Sequence, residues 1–166
     1  MPIMNKLTAA YLAGLIDGEG YISILKNKKD TYKDGFRHQA VLKIVMTDKE
    51  IIEWLYNGFG GLFEPRKGIG NRKDSYCWVL KNNKNLIPFL LKVTPYLKVK
   101  RKQANILIEF NKTFGQYQIV KNKSGGVHKE LSNQTREQRE SLYHQIRELN
   151  KIGKWQPKRL SEVSLK

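Results

Sequence analysis

Four cations crowd into five residues, Lys98-Val99-Lys100-Arg101-Lys102. Such a strip suits a phosphate ligand or a solvated face. Other chemistries find less footing. His38, His128 and His144 are scattered without metal-ligand spacing, and His38, on a strand, reads as a base or backbone contact. Cys77 stands alone, which excludes an internal disulfide and a cysteine-based zinc site. Gly68-Ile69-Gly70 lacks the context of a phosphate loop and reads as a hairpin turn. Asp17 and Glu19 flank Gly18 at the end of a nearly uncharged stretch; taken alone, Glu19 reads as a solvated carboxylate in a turn.

The charge balance points the same way as the cation strip. The 166 residues carry 31 Lys+Arg against 15 Asp+Glu, a formal net charge of +16. Lys and Arg that neutralise phosphates gain free energy by releasing counterions, so nucleic acid is the expected partner. The cations are spread along the chain, so the folded body itself is expected to bind. No apolar run approaches the roughly 18 residues of a membrane span, and the first residues lack signal- or transit-peptide character. An intracellular protein is expected. Lys and Asn outnumber Arg and Ala, a bias of AT-rich genomes such as those of organelles.

The elements that must position these groups follow from periodicity. Residues 7–17 read as a helix capped by Thr8, with Leu7 stapling onto Leu12 and Gly18 and Gly20 ending it. Small residues recur at spacing four, at Ala10, Gly14 and Gly18 and at Ala9 and Ala13, where a second helix can approach closely, whether from this chain or from another. Residues 21–28 and 37–46 form a hairpin across a polar loop at 29–36. Residues 48–56 are a short amphipathic helix capped by Thr47 or Asp48. Strands at 62–67 and 75–80 follow, then a helix at 84–93 broken by Pro95 and another at 104–110. Residues 115–133 read as a long polar loop, 137–149 as a helix capped by Thr135, and 155–166 as a short polar tail. The order predicts an α+β fold: one four-stranded antiparallel sheet with helices on one face. Two parts are expected, a core at 1–114 and a loop-and-helix extension at 115–166 packed on it. The open face mixes Asn27, Gln39, Lys43, Glu64 and Arg66 with Leu25, Val41 and Val45, more apolar than a solvated face requires.

The stretch Leu12-Ala13-Gly14-Leu15-Ile16-Asp17-Gly18-Glu19-Gly20 closely resembles the signature of the LAGLIDADG homing endonucleases, departing from it at Gly18 and Glu19. Further matches run through Trp54, Tyr76/Trp78 and residues 98–105, so the resemblance covers about residues 6–114. It implies an αββαββα fold with a saddle-shaped sheet. It also implies that the signature helix forms the interface between two such units. One motif per chain implies a homodimer, with Ala10, Ala13, Gly14 and Asp17 at the interface, Asp17 capping the partner helix or supporting the contact.

The resemblance also implies the chemistry. Hydrolysis of a phosphodiester needs an activated water, in-line geometry and charge stabilisation on the leaving oxygen, which Mg²⁺ or another divalent metal on hard oxygen ligands supplies. Glu19 occupies the acidic ligand position, the Gly18 carbonyl the backbone ligand position, Lys100 that of the transition-state cation, and Asp48 that of a water-ordering polar residue. Ile52 falls where some members carry an arginine. The implied partner is double-stranded DNA, met in the major groove. From the first strand and the start of the loop after it the contacts are Ser23, Leu25, Asn27 and Lys29, and from the next strand Arg37, Gln39, Val41 and Lys43. Glu64, Arg66, Arg72, Ser75, Cys77 and Lys98 complete the set. Eight strand residues span roughly 26 Å, or about eight base pairs, so two sheets imply a pseudo-palindromic site approaching about twenty. Two other functions carry over from the same family: an RNA maturase bound to its host intron RNA, and a DNA-binding regulator that does not cut. An intact Glu19 favours the nuclease.

Overall fold

The structure is a computed structural model and describes residues 4–29, 35–81, 83–121 and 126–151, with side chains at all of these but Asn83 and His128. The centre of the first hairpin loop, part of the 115–133 segment and the polar tail lie outside the described residues. The first helix, α1 (Lys6–Glu19), is followed by β1 (Gly20–Lys28), β2 (Phe36–Met46), α2 (Lys49–Phe59), β3 (Leu62–Arg66), β4 (Ser75–Leu80) and α3 (Asn83–Val93). This is the expected αββαββα order. A single 3₁₀ turn (Thr94–Tyr96) leads to α4 (Arg101–Lys112), and β5 (Tyr117–Lys121), β6 (Val127–Leu131) and α5 (Asn133–Lys151) complete the described chain.

Local chemistry sets the boundaries. Asn5, one turn before the expected Thr8, caps α1 by accepting from the Thr8 N–H at 2.8 Å. Asp48 caps α2 through the Ile51 N–H. Ser132, not Thr135, caps α5: its hydroxyl accepts from the Thr135 N–H at 3.1 Å. The stretch expected as a long loop instead pairs as the β5–β6 hairpin, Tyr117 opposite Leu131 and Lys121 opposite Val127. Its polar composition hid the weak alternation of Tyr117, Ile119 and Lys121, and both strands are largely exposed.

The four-stranded sheet runs β1-β2-β4-β3, antiparallel throughout. Its inner face packs Ile22, Ile24, Ala40, Leu42, Ile44, Trp78 and Leu80 against α1, α2, α3 and α4, each of these side chains at most 1% exposed. Edge strand β1 is covered by α5. There Lys26 Nζ donates to Glu140 Oε1 at 2.7 Å, His38 Nε2 lies 3.0 Å from Glu140 Oε2, and the Asn150 amide donates to the Ile22 carbonyl at 3.1 Å. Buried Arg139 ties α5 to the end of α4, donating to the hydroxyl and carbonyl oxygens of Thr113 and lying 4.6 Å over the Phe114 ring. The edge of the sheet is thereby shielded from pairing with another chain.

Candidate active site and nucleic-acid interface

The last turn of α1 is shaped by one glycine. The Gly20 N–H donates to the Ile16 carbonyl, and a Cβ at Gly20 would lie 2.5 Å from that oxygen and 2.9 Å from the Ile16 Cα. Only glycine lets the chain pass so close to the helix as it enters β1. The turn leaves Gly18 and Glu19 exposed at the foot of the helix.

Asp17 and Lys100 meet beside them. The Asp17 carboxylate accepts from the backbone N–H of Lys98 at 2.7 Å and of Lys100 at 2.9 Å. Burial pulls its pKa upward, but the N–H groups of Lys98, Lys100 and Val99 and the Lys100 charge hold it below the ordinary value. The Lys100 ammonium donates to the carbonyls of Ile16 at 2.9 Å and Asp17 at 2.6 Å. α1 has no basic residue in its own last turn, so Lys100 supplies the cation that the C-terminal carbonyls favour. Burial lowers the Lys100 pKa, against the attraction of Asp17 and Glu19. Glu19, Asp17 and Lys100 thus converge across more than eighty positions of sequence. Asp48 does not join them by any hydrogen bond or ion pair among the described residues; its carboxylate holds the α2 N-terminus.

The outer face of the sheet is a rim around a sealed strip. Asn27, Lys29, Arg37, Arg66, Arg72 and Lys98 are exposed, and Leu25, Gln39, Lys43, Glu64 and Ser75 are half-buried. Arg66 lies 3.6 Å from Glu64. Three expected contacts need correction: Ser23, Val41 and Cys77 are only 2%, 0% and 0% exposed. Parity does put them on this face, but Val41, Cys77 and Val79 pack together beneath Leu25 and Val45, and Ser23 lies directly opposite Val41. Val41 and Cys77 form a floor closed to a ligand, and Ser23, though nearly buried, borders the cleft beside α5. Burial pushes the Cys77 thiol pKa up, as expected of a packed thiol.

Two features of this face escaped the sequence. Tyr21, 45% exposed and opposite Lys43, occupies the outer-face position nearest Glu19; β1 parity held that signal. Tyr143 and Arg147 of α5 flank β1, enclosing with Tyr21, Ser23, Leu25 and Asn27 an open cleft of about 250 Å³. The Arg147 guanidinium donates to the Tyr143 hydroxyl at 3.1 Å. No local pattern shows where α5 docks.

The expected interface residues also divide. Ala13 is 1% exposed and belongs to the chain's own core, and the Asp17 carboxylate is engaged by its own chain's loop rather than by a partner helix. Ala10 and Gly14 are exposed, on the same flank as Leu7 and Tyr11, which are 82% and 50% exposed. A Cβ at Gly14 or Gly18 would meet nothing within 4 Å among the described residues, so none of them requires glycine there. Tyr11 makes an edge contact with half-exposed Trp54 at 5.9 Å.

The comparisons with known proteins bear on this arrangement. The family model described as LAGLIDADG endonuclease matches residues 12–106, more than half of the chain. DNA endonuclease I-CreI of Chlamydomonas reinhardtii is 33% identical over 108 residues, 63% of either protein. The match therefore spans less than two thirds of that relative. Among solved structures, the homing endonuclease I-CvuI in complex with its target superposes with a TM-score of 0.70 at 20% identity, over 87% of this chain and 82% of that one. The archaeal intron-encoded homing endonuclease I-Vdi141I, complexed with DNA, gives 0.69 at 20% identity, over 95% and 92%. These structures share the fold, and the family model covers both the signature helix and the segment that carries Lys100. The chain belongs to the LAGLIDADG endonuclease family.

Proposed function

We propose that the chain is a sequence-specific, Mg²⁺-dependent DNA endonuclease of the homing type that cuts both strands as a homodimer. The observation that carries this reading is at α1. Its exposed flank is uncharged, its Gly14 and Gly18 answer no steric need among the described residues, and its foot presents a single exposed carboxylate, Glu19. Two such helices packed flank to flank bring two Glu19 carboxylates together, one for each DNA strand.

Among the described residues, no group of three or more His, Cys, Asp or Glu side chains could hold a metal. The donors at the foot of α1, the Glu19 carboxylate and the Gly18 carbonyl, are hard oxygens that suit Mg²⁺, with DNA phosphates, water and the second copy completing its shell. When bound, the ion supplies an activated water and charge neutralisation at the phosphate. Lys100, held against the α1 carbonyls, has one of its three N–H groups left for a phosphate oxygen, where it stabilises charge that develops as water attacks phosphorus. The P–O3′ bond breaks as the water oxygen bonds phosphorus; the water gives up a proton and the departing 3′-oxygen takes one up, leaving a 3′-hydroxyl and a 5′-phosphate.

The rim of the sheet reads the DNA. Asn27, Gln39, Lys43 and Arg66 reach base edges in the major groove, Tyr21 reaches the bases nearest the cut, and Lys29, Arg37, Arg72 and Lys98 contact phosphates. Cleavage of a plasmid library with and without Mg²⁺ tests the activity. Glu19→Gln should abolish cutting while leaving gel-shift affinity largely intact, because binding rests on the rim and not on Glu19. Full double-strand cutting by that variant overturns the assignment. Binding to structured RNA with no DNA cleavage selects the maturase function instead. Light scattering should give a dimer before DNA is added, and Gly14→Leu should yield monomers or insoluble protein.

A further inference from the structure

We infer that Asp17 is the positioning residue for Lys100, a role that rests on the endonuclease reading above. Lys100 is the residue before α4, at the end of a non-helical segment tied at its two ends only, by the Leu97 N–H to the Thr94 carbonyl and by the Ala104 N–H to the Lys100 carbonyl, while the N–H groups of Lys98 and Lys100 point away from both. Asp17 supplies the restraint. Each of its two carboxylate oxygens takes one backbone N–H of that segment, Lys98 on Oδ2 and Lys100 on Oδ1. The backbone of Lys100 is thereby fastened to the helix whose last carbonyls its own ammonium grips, at Ile16 and at Asp17 itself. Residue 17 thus touches Lys100 twice, through its side chain to the Lys100 N–H and through its carbonyl to the Lys100 Nζ. The ammonium cannot leave without breaking its own two hydrogen bonds, nor its backbone shift without breaking the two that Asp17 makes. The carboxylate itself has both oxygens occupied by backbone donors, so it acts through Lys100 and not on the substrate.

The test is a double-mutant cycle on single-turnover cleavage, with target affinity measured in EDTA on the same DNA. Asp17→Ala should slow cleavage by about 10- to 100-fold with affinity within about threefold of wild type. Lys100→Met should slow it by about 100-fold or more. The double variant should be no slower than Lys100→Met alone, because a misplaced cation and a missing one are equally useless. A readout independent of activity accompanies this: amide hydrogen exchange at Lys98 and Lys100 should quicken at least tenfold in Asp17→Ala. If Asp17→Ala does not fold, Asp17→Asn, which keeps one acceptor and loses the other, enters the same cycle with a smaller expected loss. Multiplying losses in the double variant, or unchanged exchange at both amides, overturns the proposal while the endonuclease reading stands. A wild type that cuts no DNA overturns both.

Discussion

Both faces of the sheet carry fully buried residues, and for different ends. On the inner face, Trp78 and Leu42 join Phe89 of α3 in one continuous core, and the Trp78 indole N–H donates to the Gly60 carbonyl at 2.7 Å. On the outer face, Val41, Cys77 and Val79 are as inaccessible as any core residue, but they form a separate small cluster roofed by Leu25 and Val45. The inner face holds the protein together. On the proposed function, the outer strip stiffens a platform around which the recognition groups stand.

The largest effect that sharpens this contrast is on the inner face. Trp78→Ala should cost about 3–5 kcal/mol, read from urea unfolding, because it removes a fully buried aromatic and orphans the Gly60 carbonyl. Val41→Ala, on the outer strip, should cost about 2 kcal/mol and leave base preference unchanged. A Val41→Ala protein with altered preference at one base pair would return that residue to the recognition set. Arg66→Ala, on the rim, should hardly change stability but should relax discrimination at one position of each half-site by about 1–3 kcal/mol in a binding-site library. Lys29→Ala should weaken all sites alike and make the salt dependence shallower by about one unit of slope. Identical site profiles for the Arg66 and Lys29 variants would erase the distinction between base readers and phosphate contacts.

The smallest expected effect concerns the sheet's edge. Burial lowers the His38 pKa below the ordinary 6.5, against the pull of Glu140. Because the unfolded chain binds that proton more readily, stability is fully present above about pH 6.5 and falls as pH drops through the folded value. Glu140 is depressed below its ordinary 4.5: burial raises it, but Lys26, His38 and His144 outweigh that. Its contribution is present above about pH 4.5 and is lost on further acidification. The urea midpoint should therefore decline from pH 7 toward pH 4, and His38→Gln should flatten the upper part of that decline. A midpoint that rises on acidification would contradict the sign.

Much of the core was legible because its signals are local. Alternation along the strands put Asn27, Gln39, Lys43 and Arg66 on the open face, leaving the alternate positions to the core without reference to anything distant. The β5–β6 hairpin was not legible, since strands exposed on both faces carry no clear alternation. Outer-face parity was read correctly, but Ser23, Val41 and Cys77 were assigned to the ligand because parity gives direction and not depth.

The sequence by itself determined the nine-residue stretch at the foot of α1, with a glycine at 20 that no other residue can replace and the acid at 19, because the helix-to-strand turn is a matter of adjacent backbone atoms. It also determined the basic charge and the order of elements from α1 to α4. Only the tertiary structure decided that Lys100 closes on the α1 carbonyls, that Asp17 grips its own chain's loop, and that Arg147 lies beside β1. Each of these is a contact between segments distant in sequence, formed when the core places α4 against α1's end and α5 against the sheet's edge. Spacing along the chain holds no record of such meetings, because they depend on how whole elements pack.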